Sequence, residues 1–388
     1  GYDRKNLKIP QNQEELLAEI AETVGKDHIA AISFGGAPMD FSFEKNVGAI
    51  LHMYLGGQAV GESVADLISG EVNPSGKLAE TIPFSEKDTP AWRYFAPPND
   101  DVEYRESIFV GYRYYETFHV PVKYPFGYGL SYTSFSYSEL NVPEVYSGGK
   151  IQIRFKIKNI GKVSGAEIAQ LYVCPIESDV IRSHIELKGF QKIYLHPGEE
   201  KEVILELDER SFSVYDVEKK AFSMLSGKYQ ICIGASVHDL QLKANMEVVG
   251  NSYFRNEREL FPDYFREQPH GMEISAEQFY QLLGGEPKHD KEKKRGEYTV
   301  YDSYQDVVNV SMFGKIVRGV VHIGLKIILR GKSERDPAFK MVKMGVEEGN
   351  LEGLIATSGG IATPKLIDML VYNANKKYLQ AFKRLLKK

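Results

Sequence analysis

The sequence predicts an α/β region, then an all-β sandwich, then a mostly helical tail. In the first 90 residues, apolar runs of strand length alternate with segments of helical periodicity. Residues 137–250 carry short runs in which apolar and polar residues alternate, and turn residues separate these runs. After residue 303, apolar residues again recur at helical spacing. A chain of 388 residues is long enough for two or three domains with separate cores.

The α/β region begins with a helix predicted at residues 11–24. Its apolar face is formed by Leu16, Leu17, Ile20, Ala21 and Val24. Pro10 lies near the start of this helix and Gly25 follows its last residue, as expected for helix ends. Buried strands are predicted at residues 28–34 and 47–54, where short apolar runs occur.

A second helix is predicted from the turn at Gly56 and Gly57 to about Ser69. Strands and helices that alternate at this spacing favour a mostly parallel sheet. Because there are too few such units for a complete doubly wound domain, we predict that residues 1–90 are part of an α/β sandwich domain.

An aromatic segment at residues 91–136 is expected to pack on the sandwich as a linker. Within it, residues 102–116 interleave carboxylates, arginines and tyrosines. This composition could bind a sugar, because aromatic rings stack on the CH faces of sugars while Glu and Arg bond to hydroxyls. It could equally form a buried ion-pair and aromatic clamp between domains. For any single residue in the segment we favour the structural role.

About seven strands are predicted within residues 137–250. The clearest run alternates apolar with polar residues at Ile151, Ile153, Phe155 and Ile157. Later runs in the same region alternate in the same way and are separated by turn signals. Short strands at this spacing are typical of an immunoglobulin-like sandwich.

The last part of the chain is predicted as an extended linker at residues 251–302 and a helical extension at 303–388. The extension includes an amphipathic helix at residues 316–329, which is too short and too charged to span a membrane. Another helix is predicted to start after Thr363 and Pro364, with Thr363 as its cap. Its periodic positions are Leu366, Met369, Leu370, Asn373, Lys377 and Leu379.

The bulk composition argues against several classes of function. Proteins that bind nucleic acid usually have a basic surface, whereas this chain has a formal net charge of -5 and a pI near 6.1. The only cysteines, Cys174 and Cys232, are expected to be buried free thiols, and so low a count favours a reducing, cytoplasmic location. The spacing of Cys and His matches no zinc site, and we predict neither a metal nor a cofactor.

The turn at Gly56 and Gly57 invites comparison with phosphate-binding loops. Its pattern is GGxxxG rather than GxGxxG, and no acidic residue ends a following strand about 20 positions on. Close packing between helix and strand, which requires small residues, is the interpretation we favour.

Five short strings occur in order within residues 1–245. They are GYDRKNL at 1–7, GGQ at 56–58 with NPSGKL at 73–78, IFVGYRYY at 108–115, PFGYGLSYT at 125–133, and LKGF at 187–190. Together they resemble the carboxy-terminal part of family 3 glycoside hydrolases of the β-glucosidase type. The resemblance implies that residues 137–250 are a fibronectin type III-like domain, and the helical tail resembles appendages on some bacterial members.

The resemblance also implies a retaining mechanism, which uses two carboxylates about 5–5.5 Å apart. In the family the nucleophile is an Asp on a preceding barrel domain, and the acid/base is a Glu that in many bacterial members directly precedes the position of Gly1. Both would lie outside this chain, which alone is expected to be inactive, and we assign no catalytic residue within it. Asp3 and Arg4 would flank the mouth of the active site, or form a structural ion pair that anchors their loop.

The implied function is therefore the carboxy-terminal portion of a retaining β-glucosidase, contributing scaffold and part of the active-site rim. Its expected partners are a β-glucoside or oligosaccharide substrate and the barrel portion of the same enzyme, and a homodimer is left open. We expect no nucleic-acid or membrane partner. Two alternatives are a non-catalytic module that binds carbohydrate or protein, and a structural subunit that docks on a barrel partner.

Overall fold

The computed structural model describes residues 6–95, 102–250, 256–286, 293–329 and 336–386. The chain divides into a larger unit, which ends at Pro287, and a helical unit, which begins at Lys288. The larger unit contains an α/β region and a β-sandwich, and the smaller unit is helical. The predicted fold class is therefore confirmed.

The α/β region has the predicted order of elements. Helix α1 (Gln11–Val24) is followed by strands β1 (Ala30–Ser33) and β2 (Ala49–His52), and then by helix α2 (Val60–Ser69). The two strands pair in parallel and in register, as their alternation with helices predicts. Neither helix contains a fully buried residue. The apolar face of α1 is covered only in part by the described residues, since Leu17 packs against the core while Leu16 is 56% exposed.

The core of this region lies beside the two parallel strands. Its fully buried members are Met39, Phe41, Phe43, Val47 and Ile82. Strand β3 (Ile82–Pro83) pairs antiparallel with β4 (Val122–Tyr124), and the short helix α3 (Tyr112–Thr117) precedes β4. This pairing attaches the aromatic segment to the α/β core.

The β-sandwich is built from ten strands in two main sheets and a hairpin. They are β5 (Phe135–Asn141), β6 (Val145–Tyr146), β7 (Ile151–Asn159), β8 (Gly165–Pro175), β9 (Glu186–Leu195), β10 (Glu200–Leu207), β11 (Ser213–Asp216), β12 (Ala221–Met224), β13 (Gly227–Gly234) and β14 (Leu240–Val248). One sheet has the order β10-β7-β5, the other has the order β6-β14-β13-β8-β9, and β11 pairs with β12.

The sandwich core follows from the predicted alternation. On β7, Ile153, Phe155 and Ile157 are buried, and they form one cluster with residues such as Leu171 and Ile231 of the opposite sheet. Burying a side chain of this size stabilises a fold by about 1.5–3 kcal/mol. The two cysteines lie on neighbouring strands of the larger sheet as free thiols, with their sulfurs 3.8 Å apart.

The sequence strings that carry the family resemblance meet where the α/β region joins the sandwich. Asn73 donates from Nδ2 to the Ser164 carbonyl over 3.1 Å and accepts the Tyr132 amide over 2.9 Å. Lys77 donates to the carbonyl of Gly129 over 2.9 Å. A Cβ at Gly129 would lie 2.3 Å from the Gly76 carbonyl oxygen, so only glycine fits this close approach.

Residues 256–286 differ from the extended linker predicted for 251–302. They contain helices α4 (Glu257–Leu260) and α5 (Ala276–Leu283). Buried side chains of this segment share a cluster with the aromatic segment, among them Phe261, Tyr264, Met272 and Ile274. These apolar residues are spaced with neither helical nor strand periodicity, and the periodicity argument therefore overlooked them.

Tyr114 holds this segment against helix α3. Its hydroxyl donates to the Gln268 carbonyl over 2.7 Å and accepts the amide of Gly271 over 3.0 Å. Burial raises the pKa of Tyr114 to about 12, so the hydroxyl keeps its proton at neutral pH.

Replacing Tyr114 by phenylalanine is expected to loosen residues 256–286. The substitution leaves the ring in place but leaves a buried amide and a buried carbonyl without their partner, at a cost of about 1–3 kcal/mol. Hydrogen–deuterium exchange should accelerate in peptides from this segment, whereas Tyr215→Phe, at an exposed position of the sandwich, should leave them unchanged. Equal protection in both variants would show that the two hydrogen bonds contribute little.

The helical unit contains six helices within its described residues. They are α6 (Tyr304–Asn309), α7 (Met312–Ile328), α8 (Pro337–Glu347), α9 (Leu351–Thr357), α10 (Pro364–Ala374) and α11 (Tyr378–Leu386). Their core includes Val307, Val308, Leu351, Ile367 and Leu370. The predicted cap of α10 is present, because Thr363 accepts the Leu366 amide through its side chain.

The helix predicted to run on to Leu379 is divided into α10 and α11. Asn375 interrupts it, because its side chain accepts the amides of Gly296 and Tyr298 over 2.9 and 3.0 Å and donates to the Tyr298 carbonyl. Lys376 then adopts a left-handed conformation with a φ of 57°. Contacts from a segment 77–79 residues away thus override the local helical pattern.

Candidate active-site rim

The rim residues predicted from the family resemblance, Asp3 and Arg4, lie outside the described residues. Their placement stays a prediction.

The segment at residues 102–116 supports the structural interpretation rather than sugar binding. Arg105 forms an ion pair with Glu103 at 2.5 Å and donates to the Ile274 carbonyl over 2.8 Å. Its guanidinium also lies 4.6 Å from the centre of the Tyr94 ring. These contacts occupy the Arg105 guanidinium and the Glu103 carboxylate, as expected of an ion-pair and aromatic clamp.

Polar residues meet at the carboxyl ends of the two parallel strands. Ser33 ends β1, His52 ends β2, and the two residues are paired in register. The Ser33 hydroxyl lies 2.8 Å from His52 Nδ1. In open α/β sheets, ligands bind in the crevice at the carboxyl ends of the strands. We call Ser33, His52, Tyr54 and Glu80 the strand-end cluster.

The aromatic surroundings of the strand-end cluster keep its histidine neutral. The Tyr54 ring centre lies 4.0 Å from that of His52, and Phe41 contacts the same imidazole edge-on at 5.3 Å. Burial lowers the pKa of His52 below its ordinary value, although the nearby Glu80 charge opposes this. Burial and then the adjacent Glu80 carboxylate raise the pKa of Tyr54, which therefore stays protonated.

Three buried polar atoms of the strand-end cluster make no hydrogen bond of good geometry among the described residues, although the Tyr54 hydroxyl and the Glu80 carboxylate are close enough to interact. They are His52 Nε2, Tyr54 Oη and Glu80 Oε1. Leaving a buried polar group unsatisfied costs about 1–3 kcal/mol. Such a cluster can bind a neutral, hydroxyl-rich ligand or the polar groups of another chain segment, since it offers both donors and acceptors.

The backbone next to this cluster is strained. Tyr54 has a φ of 50° and Phe41 has a φ of 47°, values that are unusual for bulky side chains. Residues held in sparsely populated conformations concentrate at functional sites. Both residues lie beside His52, whose ring they contact.

The turn at Gly56 and Gly57 has the packing role that its sequence favours. A Cβ at Gly56 would lie 2.4 Å from Val60 Cγ2, in the first turn of α2, so a larger residue would push the helix away. Among the described residues, no group of three His, Cys, Asp or Glu side chains could hold a metal ion. The described helices also include none that is long and apolar enough to cross a membrane.

Comparison with known families identifies both regions of the larger unit. Residues 1–132 match the glycosyl hydrolase family 3 C-terminal domain, and residues 167–237 match a fibronectin type III-like domain. The chain carries a family 3 C-terminal domain. The family resemblance predicted from the five strings is therefore confirmed, and the chain is homologous to family 3 β-glucosidases.

Relatives of this family 3 domain include a β-glucosidase and an arabinopyranosidase. The chain is 44% identical to a thermostable β-glucosidase B of Acetivibrio thermocellus over 250 residues, which is 64% of this chain and 33% of the relative. It is 36% identical to an exo-α-(1→6)-L-arabinopyranosidase of Bifidobacterium breve over 251 residues, 65% of this chain and 33% of that relative. The chain thus spans about a third of the length of these relatives.

Solved structures of family 3 enzymes have the same fold over the matched region. The family 3 β-glucosidase of Bifidobacterium adolescentis superposes with a TM-score of 0.62 at 36% identity, covering 65% of this chain and 37% of that one. The β-glucosidase 3B of Thermotoga neapolitana, in complex with α-D-glucose, has a TM-score of 0.60 at 34% identity, with 65% and 36% covered.

The strand-end cluster was not singled out by the sequence patterns. Its members occupy positions 33, 52, 54 and 80, and no short motif joins them. The usable signal was that each predicted buried strand carries a polar residue near its end, Ser33 in residues 28–34 and His52 in residues 47–54. Parallel pairing in register would then have placed these two side chains side by side.

Proposed function

We propose that this chain is the carboxy-terminal portion of a retaining family 3 β-glucosidase, which hydrolyses terminal β-D-glucosyl residues. Its α/β region supplies scaffold and active-site rim, and the barrel portion of the same enzyme supplies the nucleophile. Neither the nucleophile nor the acid/base is assigned to a residue of this chain. The observation that carries the proposal is the strand-end cluster with its buried polar atoms, in a chain that is 44% identical to a β-glucosidase over 250 residues.

The exposed surface of the α/β region supports a partner. Leu16 of α1 and Ile68 of α2 are each 56% exposed, and Leu55, which follows β2, is 79% exposed. Parallel sheets are normally covered on both faces, and two parallel strands alone form an incomplete layer. The remaining α/β elements and the barrel portion of a family 3 enzyme are the occupants that we propose for these surfaces.

Two groups of residues have proposed roles in the rim. The strand-end cluster would bind sugar hydroxyls, or hold the segment that carries the acid/base. Asp3 and Arg4 would flank the mouth of the site, as the family resemblance implies. β-Glucosides are the favoured substrates because the chain is 44% identical to the β-glucosidase and 36% identical to the arabinopyranosidase.

A chimera tests the proposal. Residues 1–286 of this chain would replace the matching region of the Acetivibrio thermocellus relative, and aryl β-glucoside hydrolysis would be measured beside aryl α-L-arabinopyranoside hydrolysis. We expect the chimera to prefer the β-glucoside and the isolated chain to be inactive. Robust turnover by the isolated chain, or a folded chimera without activity on either substrate, would contradict the proposal.

The same chimera tests the role of the strand-end cluster. Glu80→Gln should lower kcat/KM by about 10- to 100-fold, the effect of losing one charge-assisted hydrogen bond to substrate or to the acid/base segment. Glu62→Gln, at an exposed position of α2, is the matched control and should leave kcat/KM unchanged. Equal kcat/KM in both variants would show that the strand-end cluster is not part of the active-site rim.

A further inference from the structure

The helical unit contains a cleft of about 490 Å³ with a strongly basic lining. Ligand sites of small molecules commonly have volumes of about 300–1,000 Å³. The cleft lies between helices α7 and α8, and its charged or titratable side chains are Lys315, Arg318, His322, Lys343 and Glu347. Both polar and apolar side chains line it, the latter including Val321, Leu325 and Val346.

Helical spacing gathers the positive charges on one side of the cleft. Lys315, Arg318 and His322 are separated by three and four residues on α7, so they project from the same face of that helix. Lys343 adds a cation from α8. Among the described residues, no salt bridge is made by Lys315, Arg318 or Lys343, and Glu347 is the one carboxylate in the lining. The lining therefore has an excess of positive charge.

The charge of the whole helical unit reinforces that of the cleft. Residues 288–388 contain 20 lysines and arginines against 11 aspartates and glutamates, a net charge of +9. Residues 1–287 contain 28 against 42, a net charge of -14. A cleft set in a positive surface raises the local concentration of anions and the rate at which they associate.

A buried hydroxyl in the lining lacks a partner. Tyr304 is 5% exposed, and its Oη has no hydrogen-bond partner among the described residues. Burial raises the pKa of Tyr304 to about 12, so the group remains a donor at neutral pH. Since native proteins rarely leave such a group unsatisfied, the hydroxyl needs an acceptor from outside the described residues, and a water or a ligand in the cleft can supply it.

Arg318 is oriented by a hydrogen bond and retains donors that can bind an anion. Its Nη1 donates to Asn309 Oδ1 over 2.8 Å, which orients the guanidinium within the cleft. A guanidinium retains further N–H donors in a planar fork that matches two oxygens of a phosphate. Two lysines beside such a fork suit a doubly charged group better than a singly charged carboxylate.

We propose that this cleft binds a phosphate group, either free phosphate or the phosphate of a small sugar phosphate. Arg318, Lys315 and Lys343 neutralise its charge, and Tyr304 donates a hydrogen bond to one of its oxygens. The volume of the cleft leaves room for a sugar beside the phosphate. This site is separate from the strand-end cluster, and it does not depend on the proposed glucosidase activity.

Isothermal titration calorimetry of the full chain at 150 mM NaCl tests the proposal. Inorganic phosphate, glucose 6-phosphate and glucose would be titrated separately. We expect saturable binding of phosphate or glucose 6-phosphate and none of glucose. Equal affinity for the two phosphates would identify free phosphate as the ligand, and tenfold tighter glucose 6-phosphate would identify a sugar phosphate. Binding of glucose alone, or of none of the three, would overturn the proposal.

Substitutions distinguish the cleft from the general positive charge of the unit. Arg318→Met and Lys343→Met should each weaken binding about tenfold or more, the effect of one charge-assisted hydrogen bond. Lys383→Met removes one charge from an exposed position on α11 and should leave affinity within twofold. If all three variants lost affinity for phosphate equally, the general positive charge of the unit would explain the binding, and the proposed site would be wrong.

The Tyr304→Phe variant checks the unsatisfied hydroxyl. Without phosphate, its Tm should equal or exceed that of the unmodified chain, because a buried group without a partner is removed. With phosphate, binding should weaken several-fold. Unchanged affinity together with a lower Tm would mean that the hydroxyl serves the fold, and would contradict its assigned role.

Discussion

Replacing Lys77 by methionine is expected to destabilise the larger unit by about 3–5 kcal/mol at pH 7, as breaking a buried ion pair does. Lys77 Nζ lies 3.0 Å from Glu167 Oε1, and these side chains are only 11% and 7% exposed. The same ammonium donates to the Gly129 carbonyl. The substitution therefore leaves a buried carboxylate without its counter-charge and a carbonyl without its donor.

The destabilisation should depend on pH in a defined direction. Burial raises the pKa of Glu167, and Lys77 opposes this rise, so the variant should have a still higher pKa. The unfolded pKa of a glutamate is about 4.3. When the folded pKa is higher than this, the carboxyl destabilises the fold as the pH rises from the unfolded pKa to the folded pKa. The stability gap between variant and unmodified chain should thus narrow as the pH falls from 7 towards 4.5.

Urea unfolding of the full chain, followed by circular dichroism, measures this effect, and hydrogen exchange of peptides from β8 locates it. The double variant Lys77→Met/Glu167→Leu should recover much of the loss, because no buried charge remains. Lys150→Met breaks an exposed ion pair with Glu206 and should change stability little. A gap of the same size at pH 7 and pH 4.5 would contradict the electrostatic explanation.

Local periodicity predicted the elements that depend on neighbouring residues. Helix α1 has the ends that Pro10 and Gly25 predict. Strand β7 has its predicted alternation because one of its faces is buried. The break at Asn375 and the packing of Phe261 and Met272 could not be predicted in this way. Each depends on contacts with residues far away in sequence, for which a single sequence gives no local signal.

The candidate site was less predictable than the fold. The family strings drew attention to Asn73, Lys77 and Gly129, and these residues join the α/β region to the sandwich rather than contacting the strand-end cluster. His52 and Glu80 carry no distinctive local pattern, and their proximity arises only when the strands pair and the chain returns past them. Strings that recur in a family can therefore mark structural junctions as readily as binding groups.

Replacing Asn159 by alanine is expected to destabilise the sandwich by about 3–5 kcal/mol, because several buried hydrogen bonds are lost together. Asn159 is completely buried at the end of β7. Its Oδ1 accepts the Thr133 hydroxyl over 2.7 Å and the Gly161 amide over 3.0 Å. Its Nδ2 donates to the carbonyls of Val163 and Leu195 over 2.9 and 3.1 Å.

This side chain uses both of its donors and both acceptor positions, so no other residue type can replace it. Asn159→Asp separates hydrogen bonding from size, since it retains the shape and the acceptors but loses both donors and adds a buried charge. It should be at least as destabilising as Asn159→Ala, and more so at pH 7 than at pH 4.

The control is Asn141→Ala, at an exposed position on β5, which should change the free energy of unfolding by no more than about 0.5 kcal/mol. If Asn159→Asp folded as stably as the unmodified chain, the two carbonyls would have other donors, and the network would not hold this corner of the sandwich.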